Sequence, residues 1–324
     1  MSFRYVVTAP LPAAIEPHLP DDAHWQEPGP EPMDPAKLRA VIGDAEGLLC
    51  SIPDRLDRGL LDTARHLRVI SQLAVGLDNI DVAACTERGI PVGHTPDVLT
   101  DTTADTAVAL LLASVRRLPE GERLVRDGKW ERWSSDLLLG ADLHHSTVGI
   151  VGLGRIGSAI ARRLQGFGCR LLYTGPTRKS TLEEVLGITY LSLPELLGRS
   201  DHVILAAPLQ PGNRHLVGSK ELALMKETAT LVNIARGPLV DTEALAAALS
   251  KGTIGRAALD VTDPEPIPPD HELVHMDNCL IVPHLGSASQ ETRNAMAQLA
   301  VDNLVAGLAG ERLPACANPQ VYGD

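Results

Sequence analysis

The chain has 324 residues, is 44% hydrophobic but only 3% aromatic, and carries a net charge of −12. That length suggests roughly two domains, with aliphatic cores, and the interspersed acidic surplus lacks the basic face that nucleic-acid binding needs. Cys50, Cys85, Cys169, Cys279 and Cys316 are odd in number and widely spaced, which fits free thiols in a reducing cytoplasm, not a disulfide framework or a metal site.

The N-terminal run, Met1 to Thr8, reads as a first strand and not as a signal peptide. No apolar stretch reaches the ~20 residues of a membrane span. Short apolar runs then alternate with helical patterns, the signature of parallel βα units. In the first third the expected strands are Tyr5–Thr8, Gly47–Cys50, Arg68–Gln72 and Pro91–His94, with helices over Pro35–Ile42 and Leu56–Thr63. An Ala- and Leu-rich helix over Thr100–Leu118 leads into a second domain, followed by a polar, irregular stretch holding Trp130 and Trp133.

Thr147 to Lys179 form one nucleotide-binding unit. The β-branched run Thr147–Val151 enters Gly152-Leu153-Gly154-Arg155-Ile156-Gly157, a helical stretch covers Ser158–Gly166, and a second strand follows at Cys169–Tyr173. A G-x-G-x-x-G that follows a strand and opens a helix is a dinucleotide fingerprint. Gly152 serves the tight turn, Gly154 the approach of a pyrophosphate, and Gly157 the packing of helix on strand. The phosphates would lie at the helix N-terminus, where unpaired amides and the dipole favour negative charge. About 20 residues past such glycines an NAD-binding fold usually places a carboxylate for the ribose hydroxyls. Here the chain reads Thr174-Gly175-Pro176-Thr177-Arg178-Lys179, without a carboxylate and with two adjacent cations. Arg178 and Lys179 could pair with a 2′-phosphate, so NADP(H) is expected in preference to NAD(H), with NAD(H) still possible.

Further strands are expected at Ile188–Leu191, His202–Ala206, Ala229–Ile234, Arg256–Val261 and Leu280–Val282, completing a doubly wound sheet of six or seven strands. A last helix, Ser289–Leu308, with Ala295, Ala297, Leu299 and Leu304 as its apolar pattern, crosses back to the first domain. The organisation expected is α/β, with a discontinuous substrate domain, 1–98 and 290–324, around a Rossmann cofactor domain, 99–289. A small substrate would bind in the cleft between them, at the carboxyl ends of the strands.

Three polar residues follow strands in the second half. Arg236 ends the run Leu231-Val232-Asn233-Ile234-Ala235, and its planar fork suits a carboxylate with an adjacent keto oxygen. Glu265 lies between Pro264 and Pro266, and His284 follows Val282-Pro283 and precedes the small residues Gly286 and Ser287. Together with a nicotinamide they suggest hydride transfer to a 2-keto acid. Protonated His284 would act as general acid, Glu265 on its other ring nitrogen would support the imidazolium, and Arg236 would anchor substrate and stabilise the growing oxyanion.

With these motifs in place the chain resembles the D-isomer-specific 2-hydroxyacid dehydrogenases, and within them the glyoxylate/hydroxypyruvate reductases. The resemblance spans Gly47-Leu48-Leu49-Cys50 to the helix near Ser289 and is most specific at Thr147–Gly157, Asn233–Gly237, Leu259-Asp260-Val261 with Glu265-Pro266, and Pro283–Ser287. It implies a Rossmann domain with a smaller flavodoxin-like domain, and it places the family's Arg, Glu and His on Arg236, Glu265 and His284. It further implies that Ala74–Asp81 is the carboxylate loop, binding through the amides of Val75 and Gly76, with Ser287 on the substrate side. Thr103, Arg155 and Ile156 would contact the pyrophosphate region, Ala207 and Pro208 the adenine, and Ile234, Asp260 and Gly286 the nicotinamide end. A homodimer through the cofactor domains is implied as well, carried by the stretch from Asp105 to Leu143.

Two departures stand out. Ser134-Ser135-Asp136-Leu137 occupy a stretch where the reductases carry an extra tryptophan, and Asp105 stands where most relatives have Glu. Other D-2-hydroxyacid substrates, 3-phosphoglycerate among them, and a non-catalytic nucleotide sensor remain open as alternatives at this point.

Overall fold

The computed structural model describes residues 3–323 apart from 9, 13, 16, 17, 20–23 and 27–32. Met1 and Ser2 of the N-terminal run lie outside the described residues. The chain forms two units, Met1–Leu99 with Ala288–Asp324, and Thr100–Ser287.

The first unit is built on five parallel strands, β1 (Arg4–Val7), β2 (His24–Gln26), β3 (Gly47–Cys50), β4 (Val69–Gln72) and β5 (Val92–Gly93). Their order, β2-β1-β3-β4-β5, is the flavodoxin-like winding. Residues along each strand alternate between two cores, as a period of two demands. Val6, Leu48, Cys50 and Ile70 pack with Leu38, Leu60 and Ile80 on one face. Tyr5, Val7, Leu49 and Val69 pack on the other with the helix Gln290–Ala309. Both faces are covered, so the strands read as continuous apolar runs.

Of that helix's expected apolar pattern, Ala297 and Leu304 are buried and Leu299 partly so, whereas Ala295 is exposed; Thr292, Met296, Ala300, Val301, Asn303, Gly307 and Leu308 complete the buried face. Ser289 caps it, accepting the Thr292 amide at 3.2 Å. Two elements escaped the sequence pattern: β2 is three residues long and sits at the sheet edge, and the helix Val82–Glu87 spans under two turns.

The second unit holds seven parallel strands, β6 (Thr147–Val151), β7 (Arg170–Thr174), β8 (Thr189–Tyr190), β9 (His202–Leu205), β10 (Thr230–Asn233), β11 (Arg256–Leu259) and β12 (Cys279–Ile281), in the order β12-β11-β10-β9-β6-β7-β8. This is the doubly wound Rossmann arrangement with one strand added at the end. The order reverses between β6 and β9. Val148, Ile150, Tyr173, Ile204 and Val232 pack beneath the helices Thr100–Val115 and Arg155–Gln165. Val151, Leu172, Val203, Leu231 and Leu259 face Leu196, Leu197, Leu245 and Leu249 on the opposite side.

The helix expected over Thr100–Leu118 ends at Val115; Arg117 adopts a left-handed conformation (φ 55°), and a further helix that the sequence did not suggest runs from Leu118 to Arg126. A partly buried carboxylate secures the break: Glu120 accepts Arg117 Nε at 3.0 Å and Arg256 Nη1 at 2.8 Å. All five cysteines are free; Cys50 and Cys85 are buried, the other three partly so. No helix among the described residues is long and apolar enough to cross a membrane.

Candidate active site

The glycine turn sits where the sheet order reverses. Gly152 has φ +100°, and a Cβ there would lie 2.8 Å from the Ala207 backbone, so a side chain is excluded by both conformation and space. A Cβ on Gly157 would stand 2.0 Å from the Gly152 carbonyl oxygen, because the helix crosses the turn at close range. Gly154 meets nothing within 4 Å, leaving open room above the turn. It is also the N-cap of the helix Arg155–Gln165, and no side chain caps that end. A helix N-terminus without a side-chain cap, beside an open space, suits the pyrophosphate of a dinucleotide. Arg155 and Ile156 begin that helix, and Ala207, two residues past β9 and followed by Pro208, lies against the turn.

Around residues 233–237 the backbone is held by Asn233. Its Nδ2 donates to the Arg236 carbonyl at 2.8 Å and its Oδ1 accepts the Ala235 amide at 3.1 Å. Such an Asx turn presents Arg236 half-buried past the end of β10, while Ile234 stays in the core at 6% exposure. Arg236 also returns Nη1 to the Ala235 carbonyl at 2.8 Å.

His284 and Glu265 meet. His284 Nδ1 lies 2.7 Å from Glu265 Oε1, with side chains 27% and 39% exposed. Glu265 Oε2 accepts the Thr262 amide at 3.3 Å, and Thr262 Oγ1 donates to the Pro264 carbonyl at 2.8 Å. Burial pushes the Glu265 carboxyl upward, but the bond and charge of His284, the Thr262 amide and the charge of Arg236 outweigh it. The net result is a pKa below the usual carboxylate range. Glu265 is therefore ionised at neutral pH, and Nδ1 of His284 carries the proton between them. That leaves Nε2 for a reacting group.

His284 has φ +53°, a left-handed conformation uncommon outside glycine and asparagine. Asp260 holds the backbone there. Its carbonyl accepts the His284 amide at 2.9 Å, and its two carboxylate oxygens accept the amides of Leu285 at 2.5 Å and Gly286 at 2.9 Å. Asp260 is 2% exposed. Burial raises its pKa, and the Leu285 amide and the His284 charge only partly offset this. Thr106 Oγ1 ties the Gly286 carbonyl at 3.2 Å, and buried Thr103 lies against Gly286. Ser287 follows, half-buried. Thr106 and Thr262 were not singled out from the sequence; nothing in their spacing marks them.

In the loop Ala74–Asp81 three successive carbonyls are occupied. Ala74 accepts the Thr95 amide at 2.9 Å, Val75 accepts His94 Nδ1 at 3.1 Å, and Gly76 accepts Gln72 Nε2 at 3.4 Å. Asn79 secures the far side through Gln72 at 2.9 Å and the Asp54 carbonyl at 2.7 Å. The amides of Val75 and Gly76 donate to no group among the described residues.

Arg178 has a partner that the sequence did not suggest. The turn Thr174–Lys179 has no carboxylate of its own, yet Glu183 reaches back to it. Arg178 Nε and Nη2 donate to Glu183 at 2.9 and 2.8 Å. Arg178 is thus an ion-paired arginine and not an isolated charge, because the helix Ser180–Leu186 returns a carboxylate that the nearer residues lack. Asp105 is also paired, accepting Arg163 Nε at 2.5 Å.

Residues 108–286 match the family model described as the D-isomer specific 2-hydroxyacid dehydrogenase NAD-binding domain. The chain is 47% identical over 286 residues to the glyoxylate reductase/hydroxypyruvate reductase of Homo sapiens, covering 88% of this chain and 87% of that protein. It is 44% identical over 328 residues to the glyoxylate reductase of Korarchaeum cryptofilum, covering 99% and 97%. Among solved structures, the NADPH-dependent glyoxylate/hydroxypyruvate reductase of Sinorhizobium meliloti, in complex with NADP and malonate, superposes with a TM-score of 0.86 at 36% identity, over 97% of this chain and 96% of that one. A Rossmann unit with an open glycine turn, an ionised glutamate on a histidine, and relatives alike over nearly their full length leave one assignment: the chain belongs to the D-isomer specific 2-hydroxyacid dehydrogenase family.

Proposed function

We propose that this protein is an NADPH-dependent reductase of small 2-keto acids, glyoxylate and hydroxypyruvate foremost, forming the 2-hydroxy acids, of D configuration where the product is chiral. The observation that carries the reading is the 2.7 Å contact between His284 Nδ1 and Glu265 Oε1, in a chain whose relatives are named glyoxylate reductase. A purely nucleotide-sensing protein has no use for such a pair.

The residues at the glycine turn fit a dinucleotide: Gly152, Gly154 and Gly157 with the amides of Arg155 and Ile156 for the pyrophosphate, Thr103 beside it, and Ala207 and Pro208 at the adenine. Ile234, Asp260 and Gly286 take the nicotinamide end, and Arg178 with Lys179 the 2′-phosphate. When bound, the reduced nicotinamide supplies a hydride to the carbonyl carbon. The chain's own part is to bind the acid and deliver the proton. In the first unit the amides of Val75 and Gly76 are carboxylate donors; in the second, Arg236, His284 and Ser287 are the substrate-binding side chains. As charge grows on the carbonyl oxygen, the Arg236 guanidinium stabilises it. His284 Nε2 then gives its proton to that oxygen, and Glu265 keeps the ring oriented with Nδ1–H directed at its carboxylate. In the opposite direction neutral His284 withdraws the hydroxyl proton. A positioned acid of this kind contributes about 10²–10⁴-fold in rate.

On the same reading, residues 1–98 and 290–324 bind substrate and 99–289 bind cofactor, and the enzyme works as a cytoplasmic homodimer. The exposed apolar side chains of Leu118, Val125, Trp130, Trp133 and Leu139 support a second copy packing on the cofactor unit. Absorbance of NADPH mixed with glyoxylate, then hydroxypyruvate, tests the activity directly.

A further inference from the structure

The turn that follows β7 is tied down at three places. Tyr190 donates its hydroxyl to the Gly175 carbonyl at 3.2 Å, the Lys179 amide donates to the Tyr173 hydroxyl at 2.6 Å, and Arg178 is held by Glu183. Glu183 is itself secured, because Tyr173 donates to its Oε1 at 2.8 Å. Tyr173 is fully buried in β7, and its ring meets Tyr190 edge-on at 5.2 Å. An unbroken chain of bonds therefore runs from the sheet core through Tyr173 and Glu183 to the guanidinium of Arg178.

Arginine has five N–H donors. Glu183 takes the edge formed by Nε and Nη2, which leaves both Nη1 donors for another acceptor. The Arg178 side chain is 66% exposed and that of Glu183 only 15%, so the carboxylate lies beneath the cation and the cation faces outward. Hydrogen bonds from Arg178 first, then Tyr173, hold the Glu183 carboxyl below its ordinary range against burial.

We propose that Glu183 is a positioning residue for cofactor selection: braced by Tyr173, it fixes the Arg178 guanidinium for the 2′-phosphate of NADP(H). This rests on the NADPH reading above. An unbraced arginine enters binding with its full rotamer freedom and must lose it there, whereas a braced one is pre-organised. The negative charge of Glu183 is already matched by the arginine it holds, so its contribution is orientation.

Steady-state kinetics of the intact enzyme with each cofactor test this. Glu183→Ala should raise the KM for NADPH several-fold while kcat and the KM for NADH stay at wild-type values. Glu183→Gln keeps an acceptor for Arg178 and Tyr173 and should remain near wild type. In an Arg178→Ala background, Glu183→Ala should have no further effect. The proposal is overturned if Glu183→Ala lowers the KM for NADPH, leaves it unmoved, shifts both cofactors alike, or still acts without Arg178. The two readings fail separately. A wild type that favours NADH, with Arg178→Ala silent, refutes the NADPH reading itself. Loss of NADPH affinity in Arg178→Ala without any in Glu183→Ala refutes only the brace.

Discussion

Asp260 accepts the main-chain amide of His284 at 2.9 Å, and with its carboxylate it also takes the next two amides along. The left-handed backbone at His284 is thus held by one buried residue, through its carbonyl at His284 and its carboxylate at the two residues that follow. Asp260→Asn replaces one accepting oxygen with an NH2 group that faces an N–H donor. An unsatisfied buried pair costs about 1–3 kcal/mol, and the loop must shift to relieve it. We expect kcat to fall at least ten-fold, beyond any change in cofactor affinity. Isothermal titration with NADPH beside turnover measurements separates the two effects.

The proton relay predicts its own pattern. His284→Ala should cut kcat by about 10²–10⁴-fold and leave NADPH binding near wild type. Glu265→Gln keeps a hydrogen-bond acceptor for Nδ1 but removes the charge, so its loss should be smaller. Glu265 has a depressed pKa in the folded protein, so its ionic support is complete at neutral pH. It is lost only as pH falls through that lowered value, below the usual ~4.3 of a glutamate. The acid limb set by Glu265 in the pH profile should be missing in the Gln variant.

Arg236 should not tolerate lysine. A point charge cannot reproduce a fork that grips a carboxylate and an adjacent oxygen together. Both Arg236→Lys and Arg236→Ala should raise the KM for the keto acid and lower kcat, with the KM for NADPH unchanged.

Away from the site, His202 gives the protein an acid lability. It is 2% exposed, neither ring nitrogen has a hydrogen-bond partner among the described residues, and burial lowers its pKa from 6.5 to about 4. The nearby charges of Asp201 and Lys226 act in opposite directions. Between those two values the unfolded chain binds the proton and the folded chain does not, so stability rises with pH across the window. Acidifying from pH 6.5 to 4 should remove about 3 kcal/mol from this residue. Thermal melts over that range should show the loss, and His202→Leu should flatten it.

The sequence was most legible where a backbone requirement leaves one residue type. Gly152 and Gly157 cannot carry a Cβ, for reasons of conformation and contact, so the glycine turn and the strand before it could be read directly. The parallel strands were legible because two-sided burial makes them unbroken apolar runs. Boundaries were less so: the break at Arg117 depends on the long-range partner Arg256 of Glu120, which no local pattern records. His284 and Glu265 could be named because each ends a strand in a stiff turn, but their 2.7 Å contact is a property of folding across 19 residues. Glu183 was missed for the opposite reason. Its distance from Arg178 along the chain looks too great for a turn, yet the helix Ser180–Leu186 folds it back.

The most direct measurement is NADPH oxidation by the wild-type protein and by His284→Ala, with glyoxylate and with hydroxypyruvate at neutral pH. The account predicts rapid oxidation by the wild type with both acids, and a product of D configuration from hydroxypyruvate. It predicts a loss of about 10²-fold or more in the variant, with its cofactor affinity intact. Wild-type protein that binds NADPH yet consumes none with these or other 2-keto acids, or a His284→Ala variant of undiminished rate, would contradict it.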